Sequence, residues 1–314
     1  MSNLKGFSYG IATSVTFGLI PLFTLPLMAK GMKFDSILFY RFFFAALALT
    51  GRMLWGKESF RVGKREVPVL IVLGFFYTGS ALFLFWGYSF MAAGIATTLH
   101  FTYPVFVTLL MGIFFREKTS WVTYVAIALA IGGVARLSIS EGEMQLSATG
   151  VGIVLLSAVA YALYIVTVNK SNVRQMTGQK LTLYVFMVST ILFFIQIQIR
   201  GSLQAIPDTA SFINLLLLAL VPTVVSNITL VQAVHHIGST LTAVLGAMEP
   251  VTAVMVGVWL FGEPFTANLA LGIFLIIVAV TMIILSKYIR KSLQEIKRLS
   301  SVALYLRAKR QHKR

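Results

Sequence analysis

Seven stretches of this sequence contain no Asp, Glu, Lys or Arg: 6–29, 67–115, 119–135, 144–169, 181–199, 209–248 and 264–286. About 20 consecutive apolar residues let a helix cross a bilayer, and most of these runs reach or exceed that length. Of the 314 residues, 58% are hydrophobic and 11% charged, against roughly 25% charged in a soluble domain. An ordinary soluble globular protein and a disordered chain are both excluded. Membrane-spanning strands alternate apolar and polar residues in blocks of about 10. The runs here are uniformly apolar, so helices are the structure that satisfies their backbone in lipid.

The run 67–115 is too long for one span and has a natural break at Met91-Ala92-Ala93-Gly94; 209–248 breaks similarly around His235-His236-Ile237-Gly238. Two further spans carry one charge each, 35–55 with Arg41 and 238–261 with Glu249. Ten spans follow: 6–29, 35–55, 67–91, 94–115, 119–138, 147–169, 178–199, 211–235, 238–261 and 264–286. The first, preceded by Lys5 and lacking a small-residue cleavage site, reads as a retained helix rather than a signal peptide. Loops are short, with no room for a soluble domain.

Charge sets the orientation. With the N-terminus inside, 21 of the 26 Lys and Arg fall on the inner side; Lys30, Lys33, Arg136 and Arg200 fall outside and Arg41 within a span. That asymmetry obeys the positive-inside rule and places both termini in the cytoplasm, in a cell (inner) membrane. It also accounts for most of the net charge of +16. Segment 287–314 holds ten Lys/Arg and one acid. Its apolar residues Ile289, Leu293, Ile296, Leu299, Ala303 and Leu306 recur every three or four positions. It reads as a basic amphipathic tail on the anionic inner leaflet, or as a solvated charge run. No nucleic-acid-binding fold accompanies the charge.

A shift of 146 residues lays Tyr103-Pro104-Val105 on Glu249-Pro250-Val251 and Glu117 on Glu263, without a gap from 101–119 to 247–265. A shift of 144 lays Gly6 on Gly150, Phe17 on Tyr161 and Gly18 on Ala162. Spans 1–5 therefore repeat as spans 6–10. Five is odd, so the second copy enters from the opposite side. The loops agree: 116–118 is Arg-Glu-Lys, whereas 262–264 is Gly-Glu-Pro with no base. The fold expected is an all-α integral membrane protein of two inverted five-helix repeats, 1–143 and 144–286, followed by the tail 287–314. Inverted repeats characterise secondary transporters, whose sites lie near the midplane.

At Tyr103-Pro104-Val105-Phe106 with Glu117, and at Met248-Glu249-Pro250-Val251 with Glu263, the sequence resembles the drug/metabolite transporter superfamily, within it the EamA-type ten-span exporters. Arg41-Phe42 and the starts of spans 1 and 6 also fit, and the resemblance covers about 5–287. It implies export or exchange of small metabolites such as amino acids.

Glu249 is the twelfth residue of its span, near the midplane, where a carboxylate is expensive and marks a functional site by default. It can hold a proton or pair with a substrate ammonium, or serve as a packing device bonded to a neighbouring helix. Pro250 frees a carbonyl one turn back. Arg41 either snorkels outward or partners a substrate carboxylate or another helix. His100 is a packing group or a proton relay. Asn227 and Gln232 are interhelical glue or cavity lining. Tyr77, Trp86, Tyr88, Tyr103, Tyr161 and Tyr164 are packing aromatics or the lining of an amphipathic cavity. Glu117, Glu263 and the pair His235-His236 sit at span ends, where they cap or pair. Gly132-Gly133 and Ala126/Ala130 suit close helix packing. Pro21, Pro26, Pro104 and Pro250 are the hinge candidates.

No cysteine is present, so thiolate metal sites and cysteine nucleophiles are absent, and no metal or cofactor is expected. HExxH, GxSxG, P-loop and paired-aspartate motifs are missing too. The reading is an alternating-access exporter of small metabolites. Its competitors are a quaternary-ammonium or multidrug exporter, an intramembrane lipid-modifying enzyme, and a scaffold or sensor. The sequence leaves the oligomeric state open, and a monomer is compatible with it.

Overall fold

The computed structural model describes residues 2–116, 121–138, 147–201, 203–283 and 285–286. Glu117 and the tail 287–314 lie outside them. Every regular element among the described residues is helical: α1 (Ser2–Gly18), α2 (Ile20–Ala29), α3 (Phe34–Trp55), α4 (Val67–Gly87), α5 (Ala93–His100), α6 (Tyr103–Phe115), α7 (Trp121–Ser138), α8 (Ala148–Lys170), α9 (Gly178–Arg200), α10 (Thr209–Ala219), α11 (Ser226–Leu245), α12 (Met248–Phe261) and α13 (Ala267–Ile283). Seven helical segments are long and apolar enough to cross a membrane; α7, α12 and α13 are shorter apolar helices.

Large apolar side chains point outward along the whole bundle. Trp121 is 74% exposed, Ile199 78% and Trp259 73%. In water such a surface would aggregate; against lipid tails it is the favourable face.

Several helices break where proline sits, but the prolines begin helices instead of bending them. Pro21, Pro104 and Pro250 each stand in the first turn, of α2, α6 and α12 respectively. Proline is tolerated there because its missing N–H has no intrahelical partner to lose. Pro26 lies inside α2. Under the 146-residue shift the break at 101–102 falls within one residue of that at 246–247.

The expected break around 235–238 is not visible in the helix boundaries, since α11 continues to Leu245. Its packing on α1 nevertheless reverses. Thr13 Oγ1 donates to Ser226 O at 2.7 Å, and Gly6 lies against His236 and Ile237. Leu245 then returns to Gly10, and Thr252 to Gly18. The chain therefore runs antiparallel to α1 as far as residue 237 and parallel to it after residue 245.

Cross-contacts sort the loops into two ends. At one end Lys30 Nζ pairs with Asp208 Oδ2 at 2.7 Å. Gln204 spends all four of its polar groups on the α2–α3 corner: its Oε1 accepts from Lys33 N, its Nε2 donates to Gly31 O, its N donates to Ser36 Oγ and its O accepts from Tyr40 Oη. Hydrogen bonds from the Lys30 ammonium and the Ser211 N–H hold the Asp208 carboxyl down at about 2. This exposed tie therefore persists above the ordinary carboxylate range and is lost only as pH falls through that value. At the opposite end Tyr184 Oη donates to Phe60 O and Asn172 Nδ2 to Arg65 O.

Small residues permit the closest approaches. A Cβ at Gly94 would stand 2.9 Å from Val254 Cα, and one at Gly133 would stand 3.0 Å from Gly272 O. Ala126 and Ala130 of α7 are buried with Val105, Ala279 and Ile283. Gly132, next to Gly133, faces open space. Gly94→Ala should therefore lower the thermal midpoint in detergent by an amount equivalent to ~1–3 kcal/mol, whereas Gly132→Ala should leave it unchanged or slightly raised. Equal midpoints for the two variants would contradict this packing.

Candidate functional site

Arg41 is buried in α3. Its Nε donates to Thr223 Oγ1 at 2.9 Å, and its guanidinium carbon lies 5.4 Å from the Phe42 ring centre and 5.6 Å from that of Phe85. Outward snorkelling is thereby ruled out; the interhelix partner is Thr223. That threonine belongs to a π-helical turn, Leu220–Val225, between α10 and α11. Its hydroxyl donates to Leu218 O at 2.8 Å, so its lone pairs face the arginine. Asn227 Nδ2 donates to Thr223 O at 2.6 Å, which satisfies a carbonyl of the same turn. Asn227 thus supports the turn that holds Arg41.

Glu249 sits in the first turn of α12, directly after the break at 246–247. Its depth is that of Gly18, where a Cβ would stand 2.7 Å from the Glu249 carbonyl oxygen. The side chain is half-buried. It lies within electrostatic reach of Arg41, Tyr77, Tyr88, Tyr103 and Tyr161. Arg41 and Glu249 do not close an ion pair; the direct ion pair among the described residues is Lys30–Asp208. The acid also stands at a half-helix N-terminus, where the aligned peptide dipoles favour negative charge.

Four tyrosines and a histidine form one connected group beside this acid. Tyr161 meets Tyr103 edge-on at 4.8 Å, Tyr164 at 5.8 Å and Tyr77 at 6.2 Å. Tyr77 meets Tyr164 at 5.2 Å, and the Phe42 and Phe186 rings close its far side. His100 lies 5.4 Å from Tyr161 and 5.9 Å from Tyr103. Its Nδ1 is 2.9 Å from Ser157 Oγ, and that hydroxyl donates its one hydrogen to Ser80 O at 2.7 Å. With the Ser157 hydrogen on Ser80 O, His100 Nδ1 is the donor of its contact with Ser157 Oγ.

The other expected residues stand outside the tyrosine group. Tyr88 is buried, with its hydroxyl 3.4 Å from Thr97 Oγ1. Trp86 is 39% exposed and packs on Phe90, away from the tyrosine group. The backbone carbonyl of Gln232, not its side chain, lies 2.8 Å from His236 Nδ1. A cavity of about 450 Å³ opens instead at the Lys30–Asp208 end, lined by Met28, Met32, Lys33, Asp35 and Ser89 among others. None of the expected site residues lines it. Sequence reading missed Thr223, Ser157 and Ser80. Pro222 in the middle of an apolar span was an available signal for the π-turn; lone serines in apolar helices carry no such signal.

A buried arginine, a mid-depth acid and a box of tyrosines between broken apolar helices define a multi-pass membrane protein with a polar centre. The EamA-like transporter family matches this chain twice, at residues 4–139 and 148–285. The chain belongs to that family, and the family is one of transporters, which removes the lipid-modifying enzyme from consideration. Among similar proteins, the probable terminal-alkyne amino-acid exporter of Streptantibioticus cattleyicolor is 26% identical over 204 residues, 64% of this chain and 67% of that protein. An uncharacterized transporter of Synechocystis sp. is 27% identical over 76% of this chain and 74% of its own length. The uncharacterized inner membrane transporter YedA of Escherichia coli K12 is 25% identical over 63% of each. A solved crystal structure shares the fold with a TM-score of 0.64 at 16% identity, covering 90% of this chain and 95% of its own.

Thr223→Val should remove the acceptor of a buried guanidinium. Such charged hydrogen bonds contribute about 1.5–3 kcal/mol, so thermal unfolding in detergent should move down accordingly. Thr229→Val, which loses only local bonds to the carbonyls of Val225 and Ser226 one turn back, should shift it far less. Equal shifts would mean that Thr223 does not hold Arg41.

Proposed function

We propose that this protein exports small metabolites, amino acids or close analogues, by alternating access through ten spans arranged as two inverted five-helix halves. The observation that carries the reading is the unclosed pair: Arg41, buried, and Glu249, half-buried, lie within electrostatic reach of each other without closing an ion pair. A zwitterion would bind with its carboxylate toward the guanidinium and its ammonium toward the acid. Its apolar part would rest on Tyr77, Tyr161 and Tyr164. A cation alone also fits an acid beside tyrosine faces, so a quaternary-ammonium exporter is the second reading.

Several findings support the ten-span inverted arrangement. The family matches each half separately. The three shorter apolar helices fall where spans five, nine and ten are expected. Each cross-contact between loops joins loops that the ten-span reading places on the same side. Lys30 meets Asp208 and Ala93 meets Glu263 at the outer face; Phe60 meets Tyr184 and Arg65 meets Asn172 at the inner face. Both termini are then cytoplasmic. The breaks before Pro104 and Pro250, with that before Pro21, are the points about which half-helices move.

Glu249→Gln should fold normally and cut amino-acid flux in proteoliposomes by at least about tenfold, as expected for losing a charge-assisted contact. Unchanged flux across pH 5–8 would remove Glu249 from the mechanism. Asp208 stays ionised throughout that window, so any pH dependence found there arises elsewhere. Cation-dye transport that depends on Glu249, without amino-acid flux, would favour the second reading. The sidedness has its own check: single cysteines replacing Lys33 and Glu58 should react with an impermeant maleimide from outside and inside respectively. Labelling of both from one face would contradict the ten-span topology.

A further inference from the structure

We propose that Glu263 is the positioning residue that closes the outer end of the transport pathway, tying the second half of the chain to the first. The proposal rests on the alternating-access reading and adds the gate to it. The helix α12 ends at Gly262, whose φ of +66° is a left-handed conformation suited to glycine. The turn is fixed by Glu263 N donating to Gly257 O at 3.0 Å. From there the side chain crosses to the other half, and its Oε1 accepts from Ala93 N at 2.9 Å. The Gly94 N–H lies beside the same carboxyl.

The seat of this carboxyl is built by an absent side chain. It lies over Gly257, where a Cβ would stand 2.7 Å from Glu263 Cδ. Ala93 and Gly94 open α5, and the first N–H groups of a helix have no partner within it. A carboxylate satisfies them and matches the helix dipole. Burial pushes the Glu263 carboxyl above its ordinary range while the two backbone donors oppose that rise.

What makes this tie more than a cap is the helices it joins. The far end of α5 is His100, in the tyrosine group; the start of α12 carries Glu249. The two helices also cross closely at Gly94 and Val254. Holding their outer ends together fixes the separation of the two site-bearing ends. Parting them opens the centre toward the outer face.

The chain has no cysteine, so Tyr103→Cys can report access to the centre directly. Glu263→Ala removes the carboxyl; Gly257→Ala keeps it but expels it from its seat. In each background the outer labelling rate by an impermeant maleimide should rise about tenfold, the scale of one charge-assisted hydrogen bond. The inner rate should fall. A cap that only stabilised α5 would lower the thermal midpoint while leaving the two rates unchanged or moving both together, and either result in monodisperse protein overturns the proposal. If Glu263→Ala does not fold, Gly257→Ala carries the test. The readout requires no substrate, so it remains decisive even if amino-acid flux is absent.

Discussion

In hydrocarbon, every backbone N–H and C=O must find a partner within the protein, because each one left bare costs several kcal/mol. A chain this apolar can therefore interrupt its helices only where protein surrounds the interruption. The break at 101–102 is buried, that at 246–247 is half-buried, and Pro222, Thr223 and Val224 bury the middle of the π-turn Leu220–Val225. Each interruption concentrates polarity around it. The π-turn offers Thr223 to Arg41, the first break sets Tyr103 beside His100, and the second puts Glu249 at a half-helix N-terminus. The same constraint thus produces both the irregular backbone and the site.

A division of labour follows from it. The outward faces are largely apolar. Small residues such as Gly18, Gly94 and Gly133 let neighbouring helices approach closely around the centre. Polar contacts beyond the centre gather at the two ends, where Gln204 clamps one corner and Tyr184 and Asn172 bind the other. Charge is scarce in between, which is why two opposite charges left unpaired at mid-depth are informative.

Much of this was legible in the residues. Charge-free runs marked the apolar helices, two of the proline hinge candidates stand directly after the breaks at 101–102 and 246–247, and a lone acid and a lone base inside spans supplied the charged members of the candidate site. The tyrosines were legible only as a set: sequence placed Trp86 among them, and its exposure separates it. Helix rotation decides which aromatics converge, and uniformly apolar helices carry no periodic signal that fixes rotation. For the same reason Ser157, Ser80 and Thr223 could not be distinguished from other small polar residues. The turn near residue 237 was expected, yet it appears in the packing along α1 and not in the helix boundaries.

The central claim is that Glu249 faces a water-accessible centre shared by both sides of the membrane. Glu249→Cys in this naturally cysteine-free chain tests it most directly. The account predicts that an impermeant thiol reagent reaches this cysteine from the aqueous phase and that a bound substrate slows the reaction. Modification by lipid-soluble reagents alone, with none by water-soluble ones from either face, would contradict it.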